Sequence, residues 1–278
     1  MTPRLIVNAD DYGHTDGVSA GIREAYQVGI VTSTSAMMNK PAVVTALEAA
    51  KACPGLGIGV HLVLTSGSPL LPAEKVPSLV TPEKKFHNQE GFIKHIHDID
   101  LAEVWAEWNA QVEKFVALSG RAPDHLDSHH HSSYFTPALF EMMLKLADQY
   151  GCAIRRPQWE LGSDPSESLP APYTKEGVAE MHRLLAQYHP RTTDGFTDEF
   201  YGDGATLENL LAILSRNAEG SADHSLEIMT HPAVVDAELR AASTYNETRG
   251  LERVLLQHPQ MLAYIESHSI ELINFAQL

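Results

Sequence analysis

The sequence predicts an α/β fold, a distorted (β/α) barrel of the TIM-like type with about seven or eight units. Short apolar segments with strand character alternate with helical patterns of ten or more residues along all 278 positions. Several of the apolar segments end in aspartate or histidine, as expected where parallel strands gather a site at their carboxyl ends. Length and ordinary apolar content fit one barrel, so we expect a single domain over residues 1–278.

The first half of the chain supplies four strand–helix steps. Asp16 is a plausible helix cap and Gly29 a helix stop, and Pro41 suits the first turn of a helix because its missing N–H has no partner there anyway. Apolar periodicity places the remaining boundaries. The predicted strands are 5–8, 30–37, 57–62 and the segment that begins at 125; the predicted helices are 16–29, 41–52, 101–120 and 137–151.

One irregular insertion interrupts this alternation. Residues 65–98 contain Pro, Gly and His without a sustained hydrophobic period. Long irregular segments in compact folds are usually binding loops or lids. We therefore predict that 65–98 faces the substrate.

The second half continues the alternation. Residues 225–231 form a clear apolar strand that delivers His231, and Pro232 ends its pairing. The other predictions are strands at 152–157, 191–196 and 270–275, a loop at 158–174, and helices at 175–188, 207–218, 245–257 and 259–267.

Charge and composition exclude several classes of partner. With 36 acidic and 20 basic side chains the net charge is −16, which disfavours nucleic acid and anionic membrane surfaces. Cys53 and Cys152 are too far apart for a C-x-x-C motif, and no apolar run is long enough for a signal peptide or membrane span. We expect a soluble, cytoplasmic protein that acts on a neutral small molecule. A homodimer is expected only because two-fold assemblies are common.

Acidic and histidine side chains at three strand ends form a candidate metal site. Asp10 and Asp11 follow the first strand, His61 ends the third, and residues 123–131 hold four histidines and two aspartates. Asp11, His61 and His125 would bind one divalent ion with an open position for water, and Asp10 would act as general base. The alternatives are an Asp-rich turn, a structural histidine and a surface histidine cluster.

Further residues complete this hypothesis. His231 would protonate the leaving group as general acid. Asp127 lies two residues after His125, so on a strand it shares a face with that residue and would orient a ligating imidazole. Either Arg155 or Arg156 would pair with an active-site carboxylate, unless they form surface ion pairs.

The chain resembles the YdjC-like carbohydrate deacetylases, which include chitooligosaccharide and hopanoid-associated deacetylases. The resemblance implies a distorted barrel, metal-dependent hydrolysis of an N-acetyl group on an amino sugar, Asp11, His61 and His125 as ligands, Asp10 as base and His231 as acid. Its motifs are Asn8-Ala9-Asp10-Asp11-Tyr12-Gly13, Gly29-Ile30-Val31-Thr32-Ser33-Thr34, Gly59-Val60-His61-Leu62, His125-Leu126-Asp127-Ser128-His129-His130 and Thr230-His231-Pro232.

Tyr12, His129 and His130 lie in these motifs and are expected to support the metal ligands or contact the substrate. After the histidine pair this chain continues His131-Ser132, where the family often has a further His two residues on. This departure lies on the substrate side and weakens any assignment to chitooligosaccharides in particular.

Metal identity and reaction type stay open from sequence. Mixed imidazole and carboxylate sites accept several ions; Mg²⁺ or Zn²⁺ is the first expectation, with Mn²⁺ or Co²⁺ as alternatives. A phosphoesterase on a similar barrel would use two metals, with Asp127, His129 and His130 as extra ligands. A non-catalytic protein that binds sugar or metal is the third hypothesis.

Overall fold

The structure, a computed structural model, describes residues 2–157, 171–219 and 224–278. Most of the loop predicted at 158–174 lies outside these residues. The strands are β1 (Arg4–Tyr12), β2 (Ser33–Ala36), β3 (Gly57–Leu62), β4 (His125–Ser128), β5 (Ala153–Ile154), β6 (Gly195–Thr197), β7 (Ser225–Thr230) and β8 (Glu271–Leu272). The α-helices are α1 (Asp16–Val28), α2 (Val43–Ala50), α3 (Gln89–Lys94), α4 (Leu101–Ser119), α5 (Pro137–Tyr150), α6 (Lys175–Tyr188), α7 (Leu207–Glu219), α8 (Ala237–Ala242), α9 (Glu247–Leu256) and α10 (Pro259–Ser267).

The strands form one parallel sheet in the order β5-β4-β3-β2-β1-β7-β6, which confirms the prediction of a distorted α/β barrel. β8 pairs with β1 at Arg4 and Leu5, below the point at which β2 joins β1 at Asn8. Within the described residues no ladder joins β5 to β6; Arg191, which precedes β6, accepts a backbone hydrogen bond of 2.9 Å from Ile154 N–H and donates one of 2.9 Å from Nη2 to Gly151 O. The barrel is therefore closed mainly by its interior side chains on that side.

Capping residues set the helix boundaries. Thr15, not the predicted Asp16, caps α1, because its side chain accepts a hydrogen bond from the Val18 N–H. Gly120 and Gly151 end α4 and α5 in the left-handed conformation, with φ of 73° and 64°. The predicted periodicity locates the longer helices to within a few residues, whereas the short helices α3 and α8 were not predicted. In the described residues no helix is long and apolar enough to cross a bilayer.

Side chains inside the barrel lie in two layers. The lower layer is an apolar cluster of Ile6, Ala153, Ile273 and Phe275, which the residues around β8 close from below. The upper layer, at the carboxyl ends of the strands, is charged and buried. It contains Asp10, His61, Asp127, Arg155 and Glu227. Strand alternation sets both layers, because residues two apart on a strand face the same side.

The insertion over 65–98 is more ordered than the sequence predicts. It contains two 3₁₀ turns, Ala73–Lys75 and Pro77–Leu79, and helix α3. The buried Glu107 carboxylate on α4 accepts hydrogen bonds of 2.9 and 3.0 Å from the backbone N–H groups of Leu70 and Leu71. These bonds satisfy two backbone N–H groups of the insertion and attach it to α4.

Candidate metal centre and active site

A polar cavity of about 260 Å³ opens at the carboxyl ends of the strands. Its volume lies near the lower end of the roughly 300–1,000 Å³ typical of small-molecule sites, so it suits one small ligand or the end of a longer one. The insertion contributes Gln89 to it. The other lining residues are Asp10, Asp11, His61, Ser128, His129, His130, His131, Asp198, Tyr201, Met229, His231 and Arg249.

An irregularity at the end of β1 brings two adjacent carboxylates into this cavity. Neighbouring strand residues normally point to opposite faces. Between Ala9 and Tyr12 the register with β2 shifts, and Asp11 adopts a left-handed φ of 74°. The Asp10 and Asp11 side chains therefore both face the site. Such a conformation is unfavourable for a residue with a side chain and often occurs at functional sites.

Asp11, His61 and His129 form the cluster best suited to a metal ion. Asp11 Oδ1 lies 3.4 Å from His61 Nε2 and 3.1 Å from His129 Nδ1, and one ligand atom from each residue lies within 4.8 Å of the others. Within the described residues, Asp11 Oδ1 is buried without a hydrogen bond of good geometry. Two imidazoles and a carboxylate suit a divalent cation with an open position. These residues fit the expected metal.

The charges around His61 also favour a cation. Burial lowers the pKa of His61, but the carboxylates of Asp127, Asp10 and Asp11 raise it to about 9. The surrounding carboxylates thus stabilise positive charge at this imidazole. A divalent ion bound at Nε2 would supply that charge in place of a proton.

His125 does not join this cluster, which corrects its predicted role. The β3–β4 register pairs His61 with Asp127, so His125 lies one inward-facing position lower. Its ring stacks on Phe275 with centroids 3.8 Å apart, in space left by Gly59, where an added Cβ would lie 2.4 Å from His125 Cε1. His129 takes its place because it follows the end of β4 and turns back toward the cavity.

Two groups orient the cluster. Asp127 Oδ1 lies 2.8 Å from His61 Nδ1, which leaves Nε2 toward Asp11, in the orienting role predicted for Asp127. Arg249 donates from Nη2 to Asp11 Oδ2 at 2.6 Å, so Oδ1 is the carboxylate oxygen that faces the two histidines. Asp11 would therefore offer the metal one oxygen.

Arg155 is the centre of a fully buried ionic network. Its guanidinium binds Asp10 through two hydrogen bonds of 2.7 and 2.8 Å and Glu227 through one of 2.7 Å, and it lies 3.0 Å from Asp127. It also lies over the Phe196 ring, 5.0 Å from the centroid. The predicted pairing of an arginine with an active-site carboxylate is present, and Arg155 makes it. The network connects β1, β4 and β7 through the residue that follows β5.

Asp10 and Glu227 share the Arg155 guanidinium but differ in pKa. Burial raises the pKa of Asp10, but the Arg155 charge and hydrogen bonds outweigh it and hold that pKa well below its usual range. Burial dominates at Glu227 and raises its pKa to about 8, because this carboxylate has a single contact with Arg155. Asp10 is therefore ionised at neutral pH. Glu227 stays mostly protonated until the pH approaches about 8.

His231 lies in the cavity wall. Burial and the charge of Arg249 lower its pKa to about 3, so the ring is neutral at pH 7 rather than an imidazolium. Its backbone N–H donates to Glu252, which also accepts a hydrogen bond from the Tyr245 hydroxyl. The backbone of His231 is thus fixed by a buried carboxylate.

His130 and His131 continue the cavity wall after His129. Both adopt left-handed φ values, 55° and 56°, which turn successive side chains into the cavity. His130 Nδ1 lies 3.0 Å from the hydroxyl of Thr65 at the start of the insertion. These residues are placed to contact a ligand rather than the Asp11 carboxylate.

Two predicted site residues lie outside the cavity wall. The Tyr12 hydroxyl donates to Ala46 O at 2.7 Å and accepts from Arg23, so the ring packs among the helices outside the barrel. The β1 irregularity that turns Asp11 inward also turns Tyr12 away. Arg156 is half-buried and does not line the cavity. Neither supports the predicted site role.

Sequence reasoning missed Glu227, Arg249 and Tyr201. Glu227 had a detectable signal: it is a single carboxylate inside an apolar strand, at the inward-facing spacing that leads to His231. Arg249 and Tyr201 had none. Arg249 comes from helix α9 and Tyr201 from the loop between β6 and α7, and only the tertiary fold brings them to the cavity.

Fold and site together define a parallel α/β-barrel protein with a buried His/Asp cluster suited to a divalent ion. A sequence profile described as "YdjC-like protein" matches residues 4–267, and the chain belongs to this family. A carbohydrate deacetylase of Brevibacillus brevis is 37% identical over 276 residues, 99% of each chain, and one of Thermoanaerobacter pseudethanolicus is 35% identical over 274 residues, 99% of this chain and 98% of the relative.

A solved structure from Enterococcus faecalis is also similar. It has a TM-score of 0.86 and 35% identity, and the match covers 100% of this chain and 99% of the other. That protein is described as a candidate cellobiose-phosphate cleavage protein. The family resemblance stated from sequence motifs is thereby confirmed across nearly the whole chain.

Proposed function

We propose that this protein is a metal-dependent carbohydrate deacetylase that hydrolyses the N-acetyl group of an acetylated amino sugar. The curated relatives named above as carbohydrate deacetylases support the reaction class. The observation that carries the proposal is the juxtaposition of an Asp11–His61–His129 cluster with a second carboxylate, Asp10, which Arg155 holds ionised beside it. A ligand set next to a free base is what hydrolysis by an activated water requires.

Asp11, His61 and His129 would hold the metal, with Asp127 and Arg249 fixing His61 and Asp11. A bound divalent ion supplies Lewis acidity, which lowers the pKa of a water and stabilises negative charge on an acyl oxygen. The proposed ion is Mg²⁺ or Zn²⁺, with Mn²⁺ and Co²⁺ as alternatives, because this mixed donor set accepts all four.

Asp10 would accept the proton of the attacking water, and His231 would deliver a proton to the departing amine. The C–O bond to the water oxygen forms first, the protonated amine then leaves as the C–N bond breaks, and the products are acetate and an amino sugar. Because His231 is neutral before the reaction, the proton that it delivers has to be the one released by the water and passed on from Asp10. Both residues line the same cavity.

A phosphoesterase is the second candidate, and the description of the similar E. faecalis protein names a phosphorylated sugar, cellobiose phosphate. It would need two metals in most mechanisms. The second group of potential ligands is Asp10, His61 and Asp127, but it shares His61 with the first, and the Arg155 guanidinium already occupies its carboxylates. A cation there would displace or oppose a buried arginine, so the residues favour one ion per chain.

Acetate release tests the proposal directly. Purified protein would be incubated with N-acetylglucosamine and short chitooligosaccharides, with chelator and then with each of the four metals restored. We expect chelator-sensitive acetate release and about one ion per chain. Phosphate release from a sugar phosphate with two ions per chain would reject the deacetylase. An Asp10→Asn protein with unchanged function would indicate the third hypothesis, a non-catalytic sugar- or metal-binding protein.

A further inference from the structure

Tyr201 lines the cavity and stacks on Tyr245, which lies behind it. The Tyr201 and Tyr245 ring centroids are 4.3 Å apart, with 25° between the ring planes. Tyr201 is 48% exposed, and among the large apolar side chains exposed in the described residues it alone lines the cavity. One face of the Tyr201 ring is thus covered by Tyr245, while much of the ring remains accessible at the cavity wall.

This aromatic pair is held rigidly beside His231. The Tyr245 hydroxyl accepts a hydrogen bond of 3.1 Å from the N–H of Gly202, the residue after Tyr201, and donates one to Glu252. Glu252 accepts the His231 N–H through its other oxygen. The Tyr201 ring meets the His231 imidazole edge-on, with centroids 5.4 Å apart. A ring fixed in this way loses little conformational entropy when a ligand packs on it.

We infer that the exposed part of the Tyr201 ring is a stacking platform for a pyranose ring of the saccharide. This inference rests on the proposed function and assigns the surface that holds the sugar. A pyranose chair presents C–H groups on a face and hydroxyls around its edge, so its face packs favourably on an aromatic ring. Asp198 and His131 line the same cavity and offer hydrogen-bonding groups for the hydroxyls. A platform next to His231 would set the sugar beside the group proposed to protonate its nitrogen.

Sugar binding, measured separately from turnover, tests this inference. We would compare the wild type with Tyr201→Ala and Tyr201→Phe, using N-acetylglucosamine and N,N′-diacetylchitobiose as probes and saturation-transfer NMR as the readout. Tyr201→Ala should weaken binding about tenfold and remove transfer to the sugar C–H protons, whereas Tyr201→Phe should stay within about twofold. Metal content should not change in either variant. Tyr264, which stacks on His268 away from the cavity, supplies the control Tyr264→Ala.

Several results would overturn the platform. Wild-type affinity in Tyr201→Ala, equal losses in the Ala and Phe variants, or no sugar binding by the wild type would each reject it. If Tyr201→Ala loses metal, Tyr201→Leu repeats the test with apolar bulk retained, and we again expect weaker binding at unchanged metal content. Acetate release combined with Tyr201-independent binding would reject the platform alone. Tyr201-dependent binding without acetate release would reject deacetylation and leave the platform standing.

Discussion

The two layers of the barrel interior come from the same strands but differ in chemistry. The lower layer stacks His125 on Phe275 among apolar side chains, and both ring nitrogens of this buried histidine lack a partner within the described residues. The upper layer fixes each buried charge with another, as Arg155 does for Asp10 and Glu227. On β4, His125 packs in the lower layer, and Asp127, two residues further along the same face, belongs to the charged upper layer.

The largest expected effect on metal binding and activity distinguishes His129, at the cavity, from His125 in the lower layer. His129→Ala removes a proposed ligand, so bound metal and acetate release should both fall to background. His125→Leu should retain metal and activity, because it replaces a ring without hydrogen bonds by an apolar side chain. Elemental analysis and acetate assays on both variants check this. The reverse pattern would restore His125 as the ligand and reject the cluster centred on His129.

The next effect concerns a charge in the upper layer that does not bind the metal. Asp10→Asn keeps the shape of the side chain but removes the base, so kcat should fall by roughly 10²- to 10⁴-fold. Metal content should remain near that of the wild type, because Asp11, His61 and His129 are intact. Steady-state kinetics with metal analysis measures both quantities. Loss of the metal together with kcat would mean that Asp10 is a ligand.

Stability should also distinguish the upper layer from the surface. Arg155→Met leaves the buried carboxylates of Asp10 and Asp127 without this cation, and breaking buried ion pairs costs about 3–5 kcal/mol of unfolding free energy. Denaturant titration of both proteins measures this loss. Arg183→Met, which removes the exposed ion pair with Glu180, serves as the matched control and should leave the denaturation midpoint unchanged. Equal midpoints for the two variants would contradict a stabilising role for the Arg155 network.

The smallest effect is a pH trend. The pKa of Glu227 is about 8 in the folded protein against an ordinary 4.5, so between these values the folded state binds the proton more tightly. The stability that this proton contributes is complete below pH 4.5 and is lost as pH rises toward 8. Glu227→Gln should flatten the decline in thermal midpoint between pH 5 and 8. The exposed Glu176→Gln should not, and parallel slopes in all three proteins would argue against a protonated Glu227.

Sequence periodicity was sufficient for the fold and for part of the site. Alternating apolar segments located the strands, and Asp10, Asp11 and His61 were found because they end strands whose carboxyl ends meet. The position of His125 below the cluster was not foreseen, because sequence spacing does not reveal the register that pairs His61 with Asp127. The pairing of Arg155 with Asp10 was anticipated only as one of two choices. Arg249 depends on tertiary packing that no local pattern records.

The pairing of β8 with the lower part of β1 has a consequence for the order in which the molecule is built. Asp10 and Asp11 leave the ribosome early, whereas Arg249, which orients Asp11, and Phe275, which closes the barrel below His125, emerge much later. Translation must pass residue 275 before the barrel floor and the metal cluster can both be complete. Asp11 therefore acquires its orienting arginine, and the barrel its floor, only after most of the chain has been synthesised.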